Sequence, residues 1–549
     1  MFMKPLQQVA STLSFSLILT GLCFGQTTER VSVNARGNQA LGASYHPSIS
    51  ADGRYVAFES YANNLVPGDT NGTWDIFVHD RQTVVMEHVS VDSQGVQGNN
   101  LSRNPSISAD GRYVTFESYA TNLVPGDTNA NPDIFVHDRQ TGVTERVSVD
   151  SQGVQSNSMS RNASISADGH HVSFNSHANN LVPGDTNWTE DTFTHNRLTG
   201  ATKRVSVNSR GVQANHTSYK SSNSADGRYV VFTSDANNLV PGDTNYDPDI
   251  FVHDCQTGVT ERVSVDSFGA QGHGQSGIRG PSCLSADGRY VAFQSEASNL
   301  VLGDTNGLAD VFVHDRQTGV TERVSVDSFG AQANGYGNES DYPSISANGR
   351  YVAFESGADN FVPGDTNGRL DAFVHDRRTG VTERVSVNSF GTQDSWSSTH
   401  SSISADGQHV AFDANSSDLV PGDTNGTWDI FVHDRWNGLG ENSIFLDGPA
   451  AAAVQVPLDL SWCTTRGNSK YALTVSTNRN GAVIDGHTFD IGNRMTVIAS
   501  GTNATNGTGS FTSLPVESRA AGLTVYFEVA ARDAAGILYD SNVLAVTFY

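Results

Sequence analysis

Asp-x-Asn-x-x-x-Asp occurs seven times in this chain, for example as Asp69, Asn71 and Asp75 and as Asp243, Asn245 and Asp249. Alternating oxygen side chains followed by a carboxylate can wrap Ca2+, which takes roughly 6–8 oxygen ligands. The fourth copy is the richest, because Asp247 adds a further carboxylate, whereas Leu308 and Arg369 fill that position in the fifth and sixth. No copy has a glutamate at the EF-hand distance. The same residues also suit Asx turns, in which the side-chain oxygens hold backbone amides, so the motif admits either a cation site or a turn.

Two further sets could carry chemistry. A histidine recurs at 79, 137, 195, 253, 314, 375 and 433, each inside an Asp-Ile-Phe-Val-His-Asp-like run. Zinc–imidazole bonds are about 2 Å and facing sheets pack about 10 Å apart, so equivalent histidines on stacked sheets cannot share an ion. A hydrogen-bonding role is expected for them. The other set is where the copies disagree: Tyr45-His46, Arg103-Asn104, Arg161-Asn162, Tyr219-Lys220, Arg279-Gly280, Asp341-Tyr342 and Thr399-His400, with Trp396 close by in the last copy. Aromatics, amides, imidazoles and both charges together are the make-up of a polar-ligand site, sugars included. Unconstrained loop drift would vary the same positions. The ligand-binding set taken from it is His46, Asn104, Asn162, Lys220, Tyr342, Trp396 and His400, with His273, Gln275, Tyr336 and Glu339 in neighbouring insertions.

The elements that must position these residues follow from the repeat. Its Asp-Gly turn falls at Asp52, Asp110, Asp168, Asp226, Asp287, Asn348 and Asp406, a period of 58 residues with two steps of 61. Each copy carries four short strand signals, A to D, as in Pro105-Ser-Ile-Ser, Tyr113-Val-Thr-Phe, Asp133-Ile-Phe-Val-His-Asp and Thr144-Glu-Arg-Val-Ser-Val. That pattern predicts a β-propeller. B and C are continuous apolar runs, as strands buried on both faces should be, while D alternates and carries charge, as an outer edge should. Seven A-B-C sets are present, but the first Glu-Arg-Val-Ser-Val (Glu29–Val33) precedes them all. The N-terminal strand is therefore expected to complete the seventh blade.

Ser108-Ala-Asp-Gly-Arg-Tyr-Val-Thr-Phe and Asp133-Ile-Phe-Val-His-Asp resemble the TolB-type, WD-repeat-like propeller units of exported bacterial proteins, over about three quarters of the chain. That family usually has Pro where Ala109 stands and a bulky apolar residue where His137 stands. The resemblance implies a fold and leaves function to the site.

Residues 1–25 read as a secretory signal, with Lys4 ahead of an apolar stretch, and imply a secreted, periplasmic or cell-surface protein. The propeller is expected over 26–441 and a small β-sandwich accessory domain over 442–549, where the repeat is gone and strand signals alternate with Gly/Asn/Asp turns. A formal net charge of −25 argues against nucleic acid or an anionic membrane as partner. No second stretch has the length of a membrane helix, and the scattered Cys255, Cys283 and Cys463 make no disulfide framework.

In an A-B-C-D meander the tight A–B and C–D turns share one face of the disc and the long B–C and D–A loops share the other, where binding is expected. The Asp of each Asp-Gly is a turn former, not an acid catalyst. The reading that follows is an exported, monomeric, non-catalytic all-β propeller that binds a protein, glycan or envelope component at its channel mouth. The alternatives are a metal-dependent polysaccharide lyase of oligogalacturonate type, using His46 and His400, and a purely structural spacer.

Overall fold

The computed structural model describes residues 26–334 and 339–435 in full and the strands between residues 444 and 549 by their backbone. Gln26–Arg435 form one compact unit, and the strands that follow belong to another. The first unit holds seven four-stranded antiparallel sheets, the seven-bladed propeller expected from the repeat. Blade 2 is typical: strand A is Ser102–Ile107, B Tyr113–Ser118, C Asp133–Asp138 and D Val143–Arg146. In blade 7, strands A to C are Ser398–Ile403, His409–Ala414 and Asp429–Asp434, and Thr27–Arg30 supplies D, with Thr27 opposite Asp434 and Arg30 opposite Phe431.

Each blade buries one phenylalanine from B against one from C, as Phe116 and Phe135 do with centroids 6.0 Å apart, and neither ring is exposed. The A–B turn closes through Gly111 N–H to Ser108 O, with the Asp110 carboxylate accepting from Ser108 Oγ and Arg112 N–H. Asp110 is thus a turn former. Gly111 is required twice over, since its φ is +73° and a Cβ would fall 2.1 Å from the Tyr55 ring of the blade before.

That turn also stitches the ring. Ala51 N–H donates to Ala109 O, Ala109 to Ala167, Ala167 to Ala225, Ala225 to Ala286, Ala286 to Ala347, Ala347 to Ala405, and Ala405 back to Ala51, all at 2.9–3.1 Å. A proline here would have no N–H to give, so the cycle needs a residue other than proline at each position.

At six of the seven seams an arginine after strand C reaches the strand-D glutamate of the preceding blade: Arg81 to Glu29, Arg139 to Glu87, Arg197 to Glu145, Arg316 to Glu261, Arg377 to Glu322 and Arg435 to Glu383. Five of these guanidiniums also lie over a tyrosine of the preceding blade, 4.3–4.6 Å from its centroid.

In the C-terminal unit, Ile444–Asp447, Leu458–Thr464 and Thr508–Leu514 make a three-stranded sheet. A second sheet is centred on Lys470–Ser476 and Thr524–Arg532. The signal expected at 1–25 lies outside the described residues. Among the described residues no helix is long and apolar enough to cross a membrane.

Candidate functional site

In six blades the variable positions lie inside strand A; in blade 5 Arg279 and Gly280 precede its shorter strand A, Cys283–Leu284. Strand A slips register after its second residue in six of the seven blades, between Tyr45 and Ser48 in blade 1 and likewise in blades 2, 3, 4, 6 and 7. The bulged residue is His46, Asn104, Asn162, Lys220, Tyr342 or His400, and all six have φ between 49° and 53°. A left-handed conformation in bulky non-glycine residues is uncommon, and it aims a side chain out of the sheet. Such residues cluster where function holds them.

Acid side chains on strand B take up the amides freed by the bulge. His46 N–H donates to Asp413 of blade 7 (3.0 Å), Asn104 N–H to Glu59 (2.8 Å), Asn162 N–H to Glu117 (3.3 Å) and His400 N–H to Glu355 (2.9 Å). The carboxylates therefore run over blades 6, 7, 1 and 2, whereas blades 3, 4 and 5 have Asn175, Thr233 and Gln294 there. The inner ring is two-sided: acidic on one arc, neutral on the other.

Three rings converge above the acidic arc. His46 and His400 are 4.3 Å apart by centroid, and Tyr342 meets His400 edge-on at 4.7 Å. His400 Nδ1 lies 2.9 Å from Asp413 Oδ2, while His46 Nδ1 comes within 3.2 Å of Glu59 Oε1 without hydrogen-bond alignment. Burial alone would lower the His400 pKa, but its bond to Asp413 and the charges of Asp413, Glu355 and Glu59 outweigh it and hold the imidazole above its ordinary value. Burial pushes Glu355 up to about 7 and raises Tyr342. The cluster can give and accept hydrogen bonds near neutral pH and offers a ring edge for stacking.

A second aromatic group, which the repeat pattern does not mark, adjoins the first. Trp74 and Trp428 each precede strand C, in blades 1 and 7, and Tyr45 lies between them with centroids 5.6 and 5.5 Å away. Tyr61 meets Trp74 at 5.7 Å, and the Arg103 guanidinium carbon lies 5.6 Å from the Trp74 ring centre. The signal was present as Gly-Thr-Trp-Asp at 72–75 and 426–429, copies far apart in sequence that ring closure makes neighbours.

Other expected residues fall elsewhere. Trp396 stands over the Arg369 guanidinium at 5.1 Å and lines a pocket of about 210 Å³ with Asp423, Asn425 and Thr427, away from the His400 ring. Lys220 spends its ammonium on the carbonyls of Ile278 (2.6 Å) and Arg279 (2.9 Å), and burial lowers its pKa to about 8. Asn104 directs its side chain to Glu117. Tyr336 lies outside the described residues.

In the B–C loops the cationic partner is a guanidinium. Arg262 Nη1 sits 3.5 Å from Asp243 and 3.2 Å from Asp249, whose oxygens also accept from Ser264 and Gln271. Asn71 accepts Thr73 N–H through its side-chain oxygen, which turns its amide nitrogen onto Asp75 at 2.7 Å. Asn245 likewise accepts Asp247 N–H. The turn reading accounts for these contacts, and a Ca2+ ion in blade 4 would have to displace Arg262. Blade 1 is the exception, with His88 where the other blades have arginine, 3.2 Å from Asp75 and with Asp69 alongside. Among the described residues no group of three or more His, Cys, Asp or Glu side chains is arranged to hold a metal ion.

The strand-C histidines do have the expected hydrogen-bonding role: His137 Nδ1 meets Thr144 Oγ1 at 2.8 Å, and His433 meets Thr28 of the closing strand at 2.8 Å. His79 faces Met86 instead, and its Nδ1 is unpartnered. A separate surface feature is the row Phe268, Phe329 and Phe390, 94%, 96% and 92% exposed, at the tips of three consecutive D–A loops.

No protein-family model and no curated protein matches the chain. Among solved structures, it is similar to TolB from Agrobacterium tumefaciens, at 15% identity over 55% of this chain and 88% of that one with a TM-score of 0.32. It is also similar to the extracellular domain of a hybrid two-component system from B. thetaiotaomicron, at 9% identity and a TM-score of 0.38, covering 96% of this chain and 59% of that one.

Proposed function

We propose that this chain is an exported, non-catalytic binding propeller that holds a glycan, or an envelope component displaying one, at the channel mouth over blades 6, 7, 1 and 2. The observation that carries the reading is the contact of His46, His400 and Tyr342 across three blades, each ring mounted on a left-handed bulge. The bulge itself recurs at Asn104, Asn162 and Lys220, so the meeting of the three rings, rather than the backbone strain, carries the reading. The reading is binding because His400, oriented by Asp413, offers hydrogen bonds beside His46 and Tyr342, whose rings can pack against a sugar. Residues 1–25 act as the export signal in this reading, and the two C-terminal sheets pack as a β-sandwich accessory domain. The protein is a monomer whose partner is a glycan, protein or envelope component.

A glycan array probed with the wild type, a His400→Ala/Tyr342→Ala variant and a Phe329→Ala control tests the proposal. Wild type and control are expected to share a set of bound glycans that the double variant loses. Binding that survives the double substitution, or no binding to glycans or envelope fractions at all, overturns it.

A further inference from the structure

Strand A puts an arginine at the same place in blades 2 and 3, and blade 5 carries Arg279 ahead of its shorter strand A, Cys283–Leu284; two of these three arginines are neutralised. Arg161 holds Glu190 through two hydrogen bonds (2.9 and 3.2 Å), and Arg279 pairs with Glu339 and lies 3.7 Å from Asp341. Arg103 differs. Among the described residues no carboxylate lies within ion-pair distance of it, its Nε is buried without a hydrogen-bond partner, and its guanidinium rests over the indole of Trp74. The reason is local: the residue before strand C, Glu190 in blade 3, is Pro132 in blade 2 and Trp74 in blade 1.

An unpaired guanidinium is open to an anion, because its planar fork matches a carboxylate or sulfate in two parallel hydrogen bonds. Here it ends a row of three half-buried rings, Trp428, Tyr45 and Trp74. Aromatic rings of this kind accept the apolar faces of sugars, while polar groups at the edge fix orientation. We infer that Arg103 and the Trp428–Tyr45–Trp74 row form a subsite for an acidic sugar, with the pyranose ring on the aromatic row and its anionic group on Arg103. This rests on the reading of the channel mouth as a glycan site and adds the charge class of the glycan. The charge of −25 repels anions at long range, so discrimination comes from the local fork rather than from steering.

The test is calorimetric titration of the full chain with three oligosaccharides of equal length: a uronate, its neutral carboxyl-reduced counterpart and a sulfated analogue. Wild type is expected to bind the uronate at least tenfold tighter than the neutral sugar. Arg103→Gln should erase that difference while leaving neutral-sugar affinity unchanged, and Arg103→Lys should restore part of it. Trp74→Ala should weaken both ligands, with Arg161→Gln as a control that changes neither and a melting curve to confirm each fold. A preference for the sulfated over the carboxylated probe, also lost in Arg103→Gln, assigns the anion as sulfate within the same subsite. If wild type binds neutral and acidic sugars equally, with binding still dependent on His400 and Tyr342, the inference falls and the channel-mouth proposal stands. If none of the three oligosaccharides binds, the inference falls, and the channel-mouth proposal falls with it only when the glycan array and envelope fractions are also blank.

Discussion

Ala405 N–H donates to Ala51 O at 3.0 Å and so closes a seven-membered cycle of backbone hydrogen bonds around the A–B turns. The two residues lie in the last and first blades, and the contact exists only because the ring is complete. Ala405→Pro removes one donor, and the expected loss is about 1 kcal/mol, the net worth of an ordinary hydrogen bond. Denaturant melts of the variant read it directly; an unchanged midpoint would mean that the cycle contributes nothing.

Lys203 and Cys255 occupy the one seam that lacks the glutamate–arginine pair, and the tyrosine beneath the usual arginine is His171 there. Burial pushes the Cys255 thiol up to about 12, so it behaves as a small apolar filler. Cys255→Arg alone places a guanidinium near an ammonium and should destabilise. Adding Lys203→Glu should rescue it, with a coupling of about 1 kcal/mol for a partly exposed pair. A double-mutant cycle measures this, and zero coupling would contradict the account of the other six seams.

Burial lowers His137 and His375 to about 4, against an ordinary value near 6.5. The neutral imidazole is the form the fold accepts, so its contribution is present above about pH 6.5 and lost as pH falls toward 4. The full effect is on the order of 3 kcal/mol per group. His375→Gln should cost stability at pH 7 and less at pH 4.5, flattening the acid limb. Urea melts at the two pH values decide it; an equal cost at both would show that the histidine does not titrate in this window.

Arg262 fills the place between Asp243 and Asp249 that a cation would take. Millimolar Ca2+ is expected to leave the wild-type melting temperature unchanged, and Arg262→Gln should make it Ca2+-dependent. A wild-type rise that Asp243→Ala abolishes would restore the calcium reading of these loops.

Blade count, strand order and ring closure were legible because they depend on local pattern: Val-His-Asp repeats, Asp-Gly turns and a strand-D segment one blade out of phase. The channel mouth was legible only as a set of disagreeing positions. That His46 and Tyr342 sit on bulges within strand A could not be read, since a bulge shows in sequence only as an extra residue, and here six of the seven blades share it. Trp74 and Trp428 look unrelated until the ring brings blades 7 and 1 together. Trp396 stands in the sequence as an aromatic in a variable loop, and in the structure it packs on Arg369 rather than on the His400 ring.

The central claim is that ligand is held over blades 6, 7, 1 and 2, and hydrogen exchange of the intact chain with and without an array-selected glycan tests it most directly. Added protection is expected in strands Ser44–Ile49, Ser340–Ile345 and Ser398–Ile403, with none at the Phe268, Phe329 and Phe390 loop tips. Protection confined to those tips or to the A–B turns, with the three strands unchanged, would contradict it.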